Sequence, residues 1–161
     1  MKTYITYGFV LEDPKKIVTN LDECINKPKK ALWGSPVDAE FGWKDWCENE
    51  EWWPSRRHQE KEDYFNESFK WTLKEGSKVL TINTIADLED LDKRGYFDHR
   101  DPFMFGPRLN FHKLLEDGYS AVELTDGYMG HYFKNELEMS FNSWDCECIV
   151  VLDPDKVELV A

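Results

Sequence analysis

The sequence predicts an α+β domain, on three observations. Short runs rich in β-branched and aromatic residues recur along the chain, each bounded by Gly, Pro, Asn or Asp. Runs with helical spacing are short and fall early and in the middle, so they do not alternate with the strands as a doubly wound parallel sheet requires. The chain has 161 residues, 41% hydrophobic and 15% aromatic, which is enough to bury a core as one domain, 1–161, and too apolar for disorder.

The elements follow in order. Residues 4–10 (YITYGFV) read as a first strand, in which Gly8 marks a bulge or a close backbone approach. After the turn at 11–14, Ile17, Leu21 and Ile25 recur at four-residue spacing and predict a short helix over 15–26. KPKK at 27–30 reads as a basic loop. Ala31-Leu32-Trp33 is a short buried strand ended by Gly34. Ser35 then fits an N-cap, Pro36 the first helical position and Asp38 the capping-box position. Ala39, Trp43, Trp46 and Cys47 would share one face of the helix that follows. That face is core, or else Trp33-Gly34-Ser35 lines a ligand cleft with the helix start aimed at an anion.

Residues 54–58 (PSRRH) read as an exposed basic loop. The runs 67–73 and 78–82, joined by the turn signal KEGS, read as a hairpin. IADLEDL at 85–91 is a short amphipathic helix. Residues 94–108 are irregular and aromatic, with His99 among them, and read as a lid over a cleft or as a stapled loop. A helix over 109–116 should stop at Gly118, and 119–124 is a strand. Residues 128–141 give no clear pattern. Residues 144–152 form the most strand-like run, Asp153-Pro154-Asp155 ends it, and 156–160 is a last strand.

Twenty basic residues against 32 acidic ones leave a net charge of −12, which disfavours binding to nucleic-acid backbones. No apolar run approaches membrane-spanning length, and MKTYITYGFV lacks the apolar stretch of a secretory signal, so a cytoplasmic protein is expected. Cys24, Cys47, Cys146 and Cys148 match no zinc spacing and read as free, buried thiols. No phosphate loop, nucleotide fingerprint or serine elbow is present, and the four histidines share no evident partner in sequence. What remains is Asp145-Cys146-Glu147. On a strand, Asp145 and Glu147 would face the same way, either into solvent or into one pocket, where a carboxylate stabilises developing positive charge.

Taken together, Thr6-Tyr7-Gly8, Leu32-Trp33-Gly34-Ser35, FKWTLKEGSKVLTINTIADLEDL (69–91), GYSAVEL (118–124) and DCECIVVLDPDKV (145–157) give a segment order that resembles the ADP-ribosyltransferase fold. The resemblance implies an antiparallel-rich sheet split around a cleft, with a few short helices. It implies NAD as substrate, no metal, and transfer of ADP-ribose to a macromolecular acceptor, foremost a protein. In it Glu147 is the catalytic carboxylate and Asp145 orients the acceptor. Tyr7 or Trp33 stacks on nicotinamide, backbone groups near Gly8 hold the carboxamide, and Gly34-Ser35 stands at the second motif. The chain departs from the family in lacking an arginine or histidine in the first strand, in lacking the Ser-Thr-Ser element, and in the spacing from Glu147 to Asp153-Pro154. A non-catalytic acidic interaction protein, either a degenerate relative or a nucleic-acid mimic, is the alternative class.

Overall fold

A computed structural model describes residues 1–24, 26–54, 60–99, 106–125 and 135–160, and the backbone of 100–103. Among them it places eleven strands and five short α-helices, an α+β architecture built on one large mixed sheet. β1 (Thr3–Tyr7), β4 (Trp33–Pro36), β5 (Ser68–Leu73), β6 (Lys78–Ile82), β9 (Tyr119–Leu124), β10 (Cys148–Val151) and β11 (Val157–Val160) form that sheet in the order β11-β5-β1-β4-β10-β9-β6. Every neighbouring pair is antiparallel except β6 and β9. Two further hairpins, β2 (Asn20–Cys24) with β3 (Lys27–Lys30) and β7 (Phe97–Phe103) with β8 (Gly106–Leu109), stand outside it. The helices are α1 (Trp43–Asn49), α2 (Lys61–Asn66), α3 (Ile85–Lys93), α4 (Phe111–Glu116) and α5 (Glu136–Met139).

The sheet has core on both faces. Val122, Leu124, Cys148, Val150 and Leu152 pack with Leu88 and Leu91 of α3 and with Phe111 and Leu114 of α4. Tyr4, Phe69, Trp71, Ala121, Ile149 and Val151 line the other face, against which Leu11 and Ile17 lie. Alternate residues of β10 therefore enter opposite cores, which explains its unbroken apolar run. Among the described residues no helix is long and apolar enough to cross a membrane.

Several expected elements are replaced. The helix expected over 15–26 is a 3₁₀ turn at Pro14–Lys16 followed by β2, and the basic loop at 27–30 is β3. Asn26, at φ 59, makes the tight turn between them. The runs 68–73 and 78–82 are strands but not a hairpin: β5 pairs with β1 and β11, while β6 pairs with β9 at the far edge. Lys74 N–H donates to Lys156 O, so the turn after β5 is tied to the chain around β11 and leads away from β5. The irregular stretch 94–108 contains the hairpin β7–β8, with Tyr96 and Phe97 buried in the core; 104–105 lie outside the described residues. The basic residues at 55–58 and residues 128–134 of the stretch 128–141 lie outside them as well. Gly118 does follow α4, at φ 86, as the end of a helix favours.

Candidate functional site

β4 is the joint of the sheet. Its second half pairs with β1 (Tyr4 with Pro36, Ile5 with Ser35) and its first half with β10 (Gly34 with Ile149, Trp33 with Val150). The end of β1 therefore runs beyond its ladder with β4. There a side chain replaces the missing backbone bond: Thr6 Oγ1 donates to Trp33 O at 2.6 Å and accepts from Trp71 Nε1 at 2.9 Å. Gly34 is required at this joint, because a Cβ would sit 2.9 Å from Trp71 Cζ2 and 3.1 Å from Ile5 O.

A cleft of about 330 Å³ opens at this joint. Its walls come from the end of β1 (Thr6, Tyr7), from β4 (Trp33, Gly34, Ser35), from Trp43 and Tyr64, and from 143–146 just before β10. The lining is strongly aromatic. Trp33 and Trp144 meet edge to face at 4.9 Å, and Trp43 Nε1 donates to Tyr64 Oη at 2.8 Å. Tyr7 lies edge-on to Phe65, and burial, together with Asp45 and Glu48, raises the pKa of its phenol.

Ser35 is buried in β4 rather than at a helix start, and Pro36 closes the strand instead of opening a helix. α1 begins only at Trp43, after Gly42, so the expected cap is in the wrong place in sequence. It is nonetheless supplied in space: Ser35 Oγ accepts from Trp43 N–H at 2.9 Å, across the loop 37–42. Asp45 Oδ2 completes the start of the helix by accepting from Gly42 N–H at 2.9 Å. Trp43 and Trp46 stack at 5.0 Å, and Cys47 behind them is fully buried.

The acidic pair is arranged differently from expectation. β10 begins at Cys148, so Asp145-Cys146-Glu147 is a bend and its side chains do not obey strand alternation. Asp145 lines the cleft, and its pKa is raised by burial; Lys27 works against that shift and Glu50 adds to it. Glu147 is not among the described lining residues: its Oε2 accepts from Glu40 N–H at 3.2 Å and its N–H donates to Phe41 O at 3.1 Å. Gly8 is likewise outside the lining. Its N–H donates to Glu67 O at 2.7 Å and Tyr64 O at 3.2 Å, and a Cβ would fall 2.2 Å from the Tyr64 ring, so it serves the seating of Tyr64.

The thiols are free; Cys24 is exposed and the other three are buried. Burial pushes the Cys47 thiol up to about 12, and a hydrogen bond with Cys146 together with burial raises Cys148 well above the usual range, so neither is a ready nucleophile. His99 pairs with Asp92 and His112 with Asp22 at exposed positions away from the cleft lining; His58 and His131 lie outside the described residues. Sequence reasoning missed Lys27, Trp43, Tyr64 and Trp144 as cleft residues. Only Trp144, beside Asp145, gave a local signal.

No family model, no curated protein and no solved structure matches this chain.

Proposed function

We propose that the protein is an ADP-ribosyltransferase-like enzyme that takes NAD in this cleft and transfers ADP-ribose to a macromolecular acceptor. One observation carries the reading. Segments far apart in the chain, around Thr6-Tyr7, Trp33-Gly34-Ser35 and Asp145, become walls of one aromatic cleft, and they are three of the five segments on which the resemblance to that family rests. The volume is at the small end for small-molecule sites, which suits the nicotinamide–ribose half of a dinucleotide. Flat rings on several walls suit a planar heterocycle.

In the reaction the bond from C1′ to the nicotinamide nitrogen breaks, and its electron pair leaves with neutral nicotinamide. The sugar passes through an oxocarbenium-like state, and an acceptor nucleophile then bonds to C1′ and loses its proton. A carboxylate held among apolar rings stabilises that positive charge more than the same group would in water. We assign this role to Asp145, which lines the cleft, and place Glu147 on the acceptor side, the reverse of the order that the sequence resemblance implies.

The test is nicotinamide release from NAD, with and without a cell extract as acceptor source. Asp145→Asn should lower turnover by a factor on the order of 100 or more with NAD binding nearly intact, since the charge acts chiefly in the transition state. Glu147→Gln should cost less, and only in the transfer step. A larger loss in Glu147→Gln would restore the order implied by the sequence. No release by the wild type, with no change in melting temperature on adding NAD, would favour the non-catalytic interaction protein.

A further inference from the structure

We propose that Lys27 is the phosphate anchor of the cleft, holding the 5′-phosphate of the nicotinamide-side ribose; this rests on the reading of the cleft as an NAD site. Lys27 is the only cationic side chain among the described residues that line the cleft.

Its position is fixed rather than accidental. Lys27 opens β3 directly after the turn at Asn26, and Asn26 O accepts from Trp144 Nε1 at 3.0 Å in the buried interior. The hairpin β2–β3 is thus pinned to the residue that precedes Asp145. The Lys27 ammonium lies 5.4 Å from the centre of the Trp33 ring, so a cation–π contact holds it over one wall of the cleft. Among the described residues no carboxylate forms an ion pair with it, although Lys29, two residues on, is paired with Asp22. An ammonium has three donors, and a ring face uses them weakly. A phosphate would engage them fully, in a site whose walls exclude much of the water.

The ligand carries charge of both signs where the cleft offers a cation and an anion. In a nucleotide the 5′-phosphate hangs one sugar's width from C1′. Lys27 and Asp145 line the same cleft and are close enough that Lys27 opposes the upward shift of the Asp145 carboxyl. A ribose between them would put its phosphate on the cation and its C1′ beside the anion. The pair thereby sets the direction in which the dinucleotide lies, with the adenylate half leaving the cleft past the β2–β3 turn.

The experiment compares wild type, Lys27→Ala and Lys27→Arg by calorimetric titration with NAD, ADP-ribose, nicotinamide riboside and inorganic pyrophosphate, together with KM and kcat for nicotinamide release. Lys27→Ala should weaken NAD and ADP-ribose by a factor on the order of 10 or more, raise KM and leave kcat nearly unchanged. Its affinity for nicotinamide riboside, which has no phosphate, should stay near that of the wild type, and Lys27→Arg should retain most of the NAD affinity. Equal NAD affinity in wild type and Lys27→Ala overturns the anchor and leaves the NAD reading standing. Loss of riboside affinity along with NAD overturns it too, by showing a merely structural role. Lys27-dependent binding of pyrophosphate without any binding of NAD supports the anion anchor and sinks the NAD reading. Absence of binding to every phosphate compound overturns both.

Discussion

Asp145 is an acid held where its ionised form is poorly solvated, and that has a stability cost. Burial is the largest cause of its raised pKa, Lys27 opposes it and Glu50 adds to it. For an acid whose pKa is higher folded than unfolded, the folded state binds protons more readily. The penalty is fully present above the folded pKa and vanishes below the unfolded one, near 4. Asp145→Asn should therefore melt higher than wild type at pH 7, and the gain should shrink as the pH falls towards 4. A gain that is flat with pH would place the effect in packing instead. The sequence showed this residue as an acid before an apolar run, but not its partner. Lys27 sits in a run of three lysines and a proline, and only the turn at Asn26 and its bond to Trp144 single it out. Strand alternation, which would put Asp145 and Glu147 on one face, does not hold across a bend, so only Asp145 is among the described lining residues.

At the scale of elements, the start of α1 is built by a strand. Ser35 Oγ reaches across a loop to the first helical N–H, and it also lies 3.9 Å from Cys146 Sγ. Ser35→Ala should cost about 1 kcal/mol in denaturant unfolding, because a buried helix end loses its acceptor. It should also loosen Trp43 and so quench or shift the tryptophan emission. Unfolding that matches wild type would mean water replaces the hydroxyl. A strand with core on both faces, such as β10, is legible because burial on both sides leaves a continuous apolar run. The hairpins β2–β3 and β7–β8 are not. Their strands carry KPKK and FDHRDPF, sequences without alternation, and pairing with a neighbour overrides the weak local preference. The supposed hairpin of β5 and β6 failed for a different reason: a turn signal reports a change of direction and says nothing about which partner the next strand finds.

For the whole molecule, the order β11-β5-β1-β4-β10-β9-β6 sends consecutive strands to distant places. β5 carries the fully buried Trp71, and its outer edge is covered only by β11, from Val157 opposite Leu73 to Val160 opposite Lys70. Ending the chain after Leu152 removes that cover and leaves an apolar strand edge open. Such a protein should elute as aggregates in size-exclusion chromatography, whereas a monomer that melts like wild type would show that the edge needs no guard.

The place of β10 bears on how the chain comes to fold as it is made. This strand lies between β4 and β9, yet it is the second last of the sheet strands to be synthesised. Until residues 148–151 leave the ribosome, β5-β1-β4 and β9-β6 are two fragments with nothing between them. Contacts so distant along the chain pay their loop-closure entropy before they are rewarded, which slows folding. Until then the open strands of both fragments must be kept from pairing with neighbours on the same messenger.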